Sequence, residues 1–307
     1  MDAMQVRFLA MVIINGLAVG AIYALIALGF VLIFKATDIF NFAQGEIMMF
    51  GAYMSMLVSN LLMGSLGLVP AFVLAAVASA LATAALASLC EMAIVRPMLG
   101  KPVLSIIMIT LGLSFVLRGG VEFAWGPEEL PFYKPFKDAP LLLGGVPIAE
   151  VRLYTLIISV ALMGVFLLFF KYSNQGLGMR ATAEDQETAF LMGINVKKIF
   201  TMSWAISGIV GAVGGVFLGA TIGNLVPFLS HVGLRALPAV ILGGMNSVTG
   251  AIVGGLILGV CENLAGTYIA PMLGGGDIKE ITSYVIVLIV MMIRPYGLFG
   301  TKEIERV

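Results

Sequence analysis

The sequence predicts an all-α membrane protein, a polytopic bundle of about eight transmembrane helices with glycine-rich packing. Hydrophobic residues make up 60% of the 307 residues and charged residues only 11%, and the mean hydropathy is +1.07. Soluble domains contain about 25% charged residues, so this composition excludes a soluble fold. Apolar runs long enough to cross about 30 Å of hydrocarbon as helices recur along the whole chain. We therefore predict that residues 1–307 form a single transmembrane domain.

Five spans are predicted in the first part of the chain. Residues 8–34 are too long for a signal-peptide core and lack a clear cleavage site after a short apolar stretch, so they form a retained first span. Residues 47–90 hold two spans, with a break near residues 64–70, where glycine and proline interrupt a helix. The fourth and fifth spans follow at residues 103–120 and 153–170.

The last part of the chain contains one segment that does not form a simple span. Residues 199–223 and 236–261 are apolar runs, and the final run, 281–293, needs its flanks to cross the membrane. Between residues 223 and 248 the chain has to return across the membrane, yet prolines, glycines and an arginine interrupt any continuous helix there. Two interpretations stay open: a re-entrant half-helix that enters a central cavity, or an external loop followed by a short tilted span.

The distribution of Lys and Arg predicts the orientation of the chain. Ten basic residues lie in the segments assigned to the cytoplasm, which are 35–40, 94–102, 171–198 and 294–307. Six basic residues, including Arg118, lie in the segments assigned to the outside, while Arg235 is not assigned to a side. Because basic residues are more frequent on the cytoplasmic side, the N-terminus lies outside, the C-terminus is cytoplasmic and the Pro-rich loop 122–150 is an external cap.

A polar loop at residues 171–198 separates two of the apolar runs and holds seven charged residues. Its Thr182 and Asp185 have the spacing of a capping box, and Gly193 is suited to end the helix that the box begins. The predicted helix is about ten residues long, roughly 15 Å. Its apolar end suggests a contact with another protein, and a solvated connector is the alternative. That end consists of Ala189, Phe190, Leu191 and Met192.

Several polar residues lie within or beside the apolar runs. A polar side chain at membrane depth either lines a path for a solute or makes an interhelical hydrogen bond, and both interpretations stay open for each residue. The candidates for a path are Asn15, Tyr23, Asn41, Gln44, Glu46 and Asn224.

Glycines recur at four-residue spacing in two of the predicted spans. Lipid offers no hydrophobic drive that brings helices together, so stripes of small residues promote association by letting backbones approach closely. The predicted packing positions are Gly211, Gly215 and Gly219 in one span and Gly255 and Gly259 in the next.

The sequence lacks the residues of several functional classes. It contains no phosphate-binding G-x-x-x-x-G-K-[ST] loop, so it does not bind nucleotides in the usual way. One histidine, His231, and two distant cysteines, Cys90 and Cys261, make neither a metal cluster nor a Ser/His/Asp arrangement. The net charge is zero, which gives no indication of nucleic-acid binding. We therefore predict that the chain is not an enzyme and binds no metal.

Four motifs together resemble the branched-chain amino acid permease family of bacterial ABC importers, in particular its LivH-type member. The resemblance runs from the first span to the end of the last one. The motifs are Asn41-Phe42-Ala43-Gln44-Gly45-Glu46 with Gly51-Ala52-Tyr53, Arg180-Ala181-Thr182-Ala183-Glu184-Asp185 with Gly193-Ile194-Asn195, Val240-Ile241-Leu242-Gly243-Gly244 with Gly250-Ala251, and Arg294-Pro295-Tyr296-Gly297-Leu298-Phe299-Gly300.

The resemblance implies one transmembrane subunit of an ATP-driven importer in the bacterial inner membrane. Its partners would be a second homologous permease, two cytoplasmic ABC ATPases that bind ATP and Mg²⁺, and a periplasmic or extracellular solute-binding protein. The solutes would be small and polar, branched-chain or related amino acids first among them, although relatives also carry amides, urea or aromatic acids. The 171–198 loop would hold the coupling helix, with contacts from Arg180, Ala183, Glu184, Asp185, Ala189, Phe190, Leu191, Gly193 and Asn195.

The alternative function is an ion-coupled secondary transporter of a small solute. Such a transporter needs acidic residues or unwound ion sites in the middle of the membrane. Glu46 and Glu262 lie at the ends of apolar runs rather than at their centres, which favours the ATP-driven importer.

Overall fold

The computed structural model describes residues 3–136, 139–273 and 278–300, and in these residues the chain is a helical bundle. Seven of the described helices are long and apolar enough to span a membrane, and Pro227–Gly243 and Ile281–Ile293 are shorter apolar helical stretches. The predicted fold class is therefore confirmed, although the last predicted span is a shorter helix than the other seven.

The first half of the bundle contains four long helices and a cap of short strands. α3 continues beyond its α-helical part through a π turn at Glu91–Val95 and a 3₁₀ turn at Arg96–Met98. The elements are α1 (Ala3–Thr37), α2 (Gln44–Leu66), α3 (Leu68–Cys90), α4 (Val103–Trp125), β1 (Leu130–Pro131), β2 (Leu141–Leu143) and β3 (Val146–Ile148).

The second half alternates long and short helices. A 3₁₀ turn at Pro227–Ser230 precedes α9, and a π turn at Ala265–Ile269 follows α11. The elements are α5 (Glu150–Tyr172), α6 (Asn174–Glu184), α7 (Gln186–Leu191), α8 (Val196–Ile222), β4 (Asn224–Leu225), α9 (His231–Arg235), α10 (Leu237–Gly243), α11 (Val248–Leu264) and α12 (Ile278–Ile293).

The two ends of the bundle differ in structure. At one end β2 and β3 form an antiparallel hairpin, and β1 pairs with β4 antiparallel, so that Leu130 lies opposite Leu225. We call this the hairpin end. At the other end α6 and α7 connect α5 to α8, and Gln186 there donates to the carbonyl of Ala36 near the end of α1 (3.5 Å). We call this the α7 end.

α1 is the central helix of the bundle. In the Met4–Thr37 span, 83% of the most apolar part is buried, against 22% for Val103–Trp125 and for Glu150–Tyr172. α1 approaches α11 through glycine: a Cβ on Gly259 would lie 2.3 Å from the Cα of Gly20. Because no side chain fits between them, the two backbones are in direct contact along this line.

The predicted break between the second and third spans lies at Gly67. This residue has φ +80°, which glycine adopts without the steric cost of a Cβ. The run at 236–261, in contrast, is not one span. Its first part is α10 and its second part is α11, and the two are separated by a turn at residues 244–247.

The return of the chain between residues 223 and 248 is a broken crossing made of the 3₁₀ turn, α9 and α10. It ends at the α7 end, where Lys35 donates to the carbonyl of Asn246 (3.1 Å). The apolar stretch Pro227–Gly243 has 17 residues and, at 1.5 Å per residue, is about 25 Å long, less than the hydrocarbon thickness. Its far end is held by the C-terminal motif, because the amides of Leu298 and Phe299 donate to the carbonyls of Leu242 and Gly243 (2.9 and 3.0 Å). These bonds satisfy carbonyls that a helix end leaves unpaired.

A second interruption of helical structure lies between α1 and α2, at residues 38–43. Asp38, in the segment 35–40 that the sequence assigned to the cytoplasmic side, is exposed at the α7 end, where Gln186 donates to its carboxylate (3.5 Å). The chain then turns back into the bundle, because Phe40 stacks on Phe30 of α1 with ring centroids 5.3 Å apart. A Cβ on Gly29 of α1 would lie 2.5 Å from the side-chain nitrogen of Gln44, and Gly29 precedes the end of α1 by about 12 Å. α2 therefore begins inside the bundle rather than at its surface.

Candidate functional site

The two broken segments meet inside the bundle. A Cβ on Gly233 of α9 would lie 2.3 Å from the Cα of Gly45, and one on Gly45 would lie 2.2 Å from the carbonyl oxygen of Ser230. Non-helical backbone at membrane depth is tolerated only where protein surrounds it or where it lines a water-filled cavity. The contact between α2 and α9 therefore needs protein or water around it.

Gln44 and Asn41 form a polar cluster at the start of α2. Gln44 is fully buried; its Oε1 accepts from Ser207 Oγ (2.8 Å) and its Nε2 donates to the Ser207 carbonyl (3.4 Å). Asn41 is also buried, and its Oδ1 accepts from the amide of Ala43 (3.1 Å). Within the described residues the Nδ2 of Asn41 has no acceptor. An unpaired buried donor lowers the stability of a fold by about 1–3 kcal/mol, so the amide of Asn41 destabilises the bundle at this position.

Glu46, one half-turn further along α2, is held by an ion pair. Its Oε1 accepts from Arg118 Nη2 (2.7 Å), and the same nitrogen donates to Ser230 Oγ (3.0 Å). Arg118 thus joins α2, α4 and the turn before α9. An ion pair at this depth needs protein or water around it, since charge is expensive in hydrocarbon.

Arg118 is the residue that the sequence analysis placed wrongly. It was counted among the outside charges because the charge-free run that predicts the fourth span ends at Leu117, but α4 continues to Trp125 and carries Arg118 within the span. The signal was present in the sequence: a single arginine inside a helix of spanning length marks a functional candidate.

The other predicted path residues lie elsewhere. Tyr23 of α1 donates to Glu262 Oε2 (2.9 Å), and Ser283 of α12 donates to the other carboxylate oxygen, so this group joins α1, α11 and α12. Asn15 is half-buried on α1. Asn224 is exposed at the hairpin end, where its Nδ2 donates to Glu129 (3.3 Å). Asn41, Gln44 and Glu46 are therefore the predicted residues that the fold gathers at the broken segments.

The glycine stripe of α8 lies against α2 and the hairpin end. A Cβ on Gly215 would lie 2.4 Å from the carbonyl oxygen of Met48, and one on Gly211 would lie 3.2 Å from Gln44 Nε2. A Cβ on Gly219 would lie 2.8 Å from Leu225 Cδ2. On α11, a Cβ on Gly255 would lie 2.5 Å from the backbone nitrogen of Ala24. These glycines keep α8 and α11 close enough to reach the polar cluster and α1.

At the α7 end, the predicted single helix is two helices. Thr182 does not cap anything, because it is buried inside α6 and its hydroxyl has no partner within the described residues. Asp185 is the N-cap of α7, accepting from the amides of Glu187 (2.8 Å) and Thr188 (3.0 Å). The hydrogen bonds from Thr188, and then that from the Glu187 amide, lower the pKa of the Asp185 carboxyl. The predicted start of the helix was therefore three residues too early.

The end of α7 agrees with the predicted position of Gly193. This residue has φ +84°, its amide donates to the carbonyl of Phe190, and the amide of Ile194 donates to that of Ala189 (both 3.0 Å). This pair of bonds is a Schellman motif. Ala189 is buried, whereas Phe190, Leu191 and Met192 are 70%, 82% and 79% exposed. We call these three residues the apolar tip of α7.

The remaining predicted coupling residues support α7 from its flanks. Arg180 donates to the carbonyl of Phe170 and lies over its ring at 5.6 Å, which fastens α6 to α5. Asn195 caps α8 by accepting from the amide of Lys198 (3.1 Å). Ala183 is half-buried and Glu184 is exposed at the end of α6.

A groove of about 980 Å³ runs beside the apolar tip. Phe190, Leu191 and Gly193 line one part of it, and Leu99 and Phe200 line another. The α7 end therefore presents both a protruding apolar tip and a concave surface next to it.

Comparison with known proteins identifies the family. The model of the family described as the branched-chain amino acid transport system, permease component, matches residues 12–294. The chain belongs to this family. The permease is accordingly a transport subunit with multiple membrane helices, and the hypothesis of an ion-coupled secondary transporter is set aside.

Two relatives of the permease match nearly all of its length, and a third matches about half. It is 30% identical to the high-affinity branched-chain amino acid permease LivH of Salmonella typhimurium, over 95% of this chain and 96% of that one. It is 32% identical to the corresponding permease BraD of Pseudomonas aeruginosa, over 96% and 97%. The nucleoside ABC transporter permease NupC of Lactococcus lactis is 32% identical over 49% of this chain and 50% of that one.

Proposed function

We propose that this permease is one of two transmembrane subunits of an ATP-driven importer and that α7 is its coupling helix. A second, homologous permease would complete the path, two cytoplasmic ATPases would bind ATP and Mg²⁺ and drive it, and a solute-binding protein would deliver the solute at the hairpin end. The observation that carries the proposal is the apolar tip of α7.

The tip has the properties of a contact surface between proteins. Three consecutive large apolar side chains are mostly exposed at the end of a helix whose charged neighbours are solvated. Both ends of α7 are fixed, by the Asp185 cap and by the turn at Gly193, so the tip is held rather than free. A rigid apolar tip transmits a push from a partner subunit to the bundle, because α8 follows within a few residues.

The path would run along the meeting point of α2 and α9. On the outer side of this point Phe228 is exposed and stacks on His231 at 4.0 Å, and Leu234 is also exposed. Lipid does not accept broken backbone at this depth, so this face needs a protein or an aqueous path against it. We assign it to the second permease and to the solute, with Asn41, Gln44, Glu46 and Arg118 near the path.

The solute is inferred from the relatives rather than from the geometry. LivH and BraD, which match 95% and 96% of the chain, are branched-chain amino acid permeases, whereas the nucleoside permease NupC matches 49% of it. We therefore propose branched-chain or related amino acids as the solute.

The proposed location is the bacterial cytoplasmic membrane, with the α7 end in the cytoplasm and the N-terminus outside. Moving Arg118 from the outside loops into α4 lowers the outside count of basic residues from six to five, against ten inside. The positive-inside rule supports this orientation more strongly than the sequence alone did. In this scheme residues 1–307 act as a single permease domain.

The test is reconstitution of the complete importer with Leu191→Ser in the apolar tip. The matched control is Leu177→Ser, which changes an exposed leucine on α6 instead. We expect Leu191→Ser to lower co-purification of the ATPases and their stimulation by loaded binding protein, and we expect the control to retain both. Equal behaviour of the two variants would refute the coupling role of the tip. Uptake by the purified chain alone, without ATP and with an ion gradient, would refute the importer scheme.

A further inference from the structure

A buried carboxylate at the α7 end has no role in the path or in the apolar tip. Glu91 lies in the π turn at the end of α3 and is 1% exposed. An ionised group at such a site needs a charged partner and further hydrogen bonds. Arg96 supplies the partner in bidentate geometry: its Nε donates to Oε1 (2.9 Å) and its Nη2 donates to Oε2 (2.7 Å). This arrangement is the strong form of an arginine–carboxylate pair.

Thr201 of α8 completes the group. Its hydroxyl donates to Glu91 Oε2 (2.9 Å) and accepts from Arg96 Nη2 (2.6 Å). The same arginine nitrogen also reaches the carbonyl of Lys197 in the first turn of α8 (3.4 Å). We call Glu91, Arg96 and Thr201 the α3–α8 clamp, because it joins the last turns of α3 to the first turns of α8.

The clamp lies next to the coupling segment. α8 begins at Val196, directly after the turn that ends α7, and Leu99, Lys197 and Phe200 line the groove beside the apolar tip. A displacement of α7 therefore acts directly on the first turns of α8.

α3 and α8 are joined a second time, deeper in the bundle. A Cβ on Gly208 of α8 would lie 2.8 Å from the carbonyl oxygen of Thr83 of α3, so the two backbones touch there. Two attachments along one pair of helices restrict both sliding and rotation between them. Ser207, next to Gly208, holds Gln44 at the start of α2. A rigid α3–α8 pair thus connects the α7 end to the polar cluster.

We propose that the α3–α8 clamp positions α3 and α8 as one lever, which carries the displacement of α7 to the polar cluster at the start of α2. This inference rests on the proposed coupling role of α7. Without the clamp, α7 still contacts the ATPases, but α8 moves without α3. The displacement of α7 then does not reach the polar cluster. ATP hydrolysis then continues while transport per ATP falls.

The decisive variant is Thr201→Val, which removes the hydroxyl, keeps a similar volume and leaves the Glu91–Arg96 pair within α3. Thr201→Ser restores the hydroxyl. The matched control is Thr221→Val at the other end of α8, where, among the residues that the structure describes, the hydroxyl donates within its own helix to the carbonyl of Phe217 (2.7 Å). Each variant is assembled into the complete importer in vesicles. Solute uptake per ATP hydrolysed is measured per assembled complex.

We expect Thr201→Val to lower uptake per ATP about tenfold, a coupling free energy of ~1.4 kcal/mol. Thr201→Ser and Thr221→Val are expected to stay near the parent value. Should Thr201→Val fail to assemble, Thr201→Ala deletes the same hydroxyl with less bulk and is measured in its place.

A Thr201→Val complex that forms in smaller amounts but keeps the parent uptake per ATP would show a purely structural role and overturn the lever. A parent complex whose ATP hydrolysis ignores loaded binding protein would instead overturn the proposed function, and the lever with it. Stimulation of ATP hydrolysis in the parent complex therefore distinguishes a failure of the lever from a failure of the proposed function.

Discussion

The close contact of α1 and α11 makes Gly259→Ala a quantitative test of the fold. A Cβ at this position would lie 2.3 Å from both the Cα and the nitrogen of Gly20, and 2.6 Å from the carbonyl oxygen of Gly16. Ordinary van der Waals contacts of a Cβ begin at 3.4 Å. The atoms that obstruct it are backbone, so no side chain can rotate away and the two helices have to separate by about 1 Å.

The magnitude follows from comparison with an unobstructed glycine. Gly164 lies in the middle of α5, and a Cβ there would meet no atom of the described residues within 4 Å. Replacing a mid-helix glycine by alanine adds about 0.5–1 kcal/mol of stability through reduced backbone freedom, and both variants gain this amount. Only Gly259→Ala also incurs the cost of overpacking, about 1–3 kcal/mol. The free energies of unfolding of the two variants should therefore differ by about 1–3 kcal/mol.

The assay is reversible unfolding of each purified variant in mixed micelles by a denaturing detergent, with the parent chain as reference. Gly164→Ala should be as stable as the parent or slightly more stable, and Gly259→Ala should be less stable than Gly164→Ala. If the two variants have the same free energy of unfolding to within about 0.5 kcal/mol, the usual scatter of neutral substitutions, the backbone contact between α1 and α11 does not exist.

Three further outcomes are expected at the two ends of the bundle. Gly193→Arg places a side chain at φ +84°, where strain costs about 1–3 kcal/mol. This variant should stay in the membrane but abolish solute-stimulated ATP hydrolysis, whereas Glu187→Lys should lower it less. Normal transport by Gly193→Arg would disprove the coupling role. A cysteine in place of Gln186 should be labelled only from the cytoplasm and one in place of Lys134 only from outside, so that labelling of both from one side would reject the orientation. Because the pKa of Asp185 is lowered in the folded state, its cap stabilises α7 fully at pH values above the ordinary carboxyl pKa. This stabilisation is lost as the pH falls through the lower, folded-state pKa. Protection of α7 amides from hydrogen exchange should therefore decrease at acidic pH, and Asp185→Asn should remove this decrease.

The coupling segment shows which local features a sequence predicts well. The end of α7 was placed correctly because only glycine adopts the conformation at Gly193 without strain, and this requirement is local. The start was misplaced because Thr182 and Asp185 are both good N-caps. The burial of Thr182 within α6 decides between them, and that burial depends on how α6 lies against the rest of the bundle.

The polar residues at the start of α2 show a similar division. Glu46 was recognised as a candidate because an acidic residue beside an apolar run is unusual. Its partner, Arg118, lies 72 residues further along the chain and was counted with the outside charges, since nothing in the local sequence indicates that its side chain turns toward α2.

By itself, the sequence determined that this protein is a helical membrane bundle and where most of its spans begin and end, because the length and polarity of each run decide whether that run crosses hydrocarbon. It also determined the break near residues 64–70 and the turn at Gly193, where glycine satisfies a backbone requirement. Only the tertiary structure decided that the chain turns back into the bundle before α2, that Glu46 pairs with Arg118, and that Glu91, Arg96 and Thr201 join α3 to α8. These features depend on which helices become neighbours, and that choice is made by close packing between residues far apart in the chain.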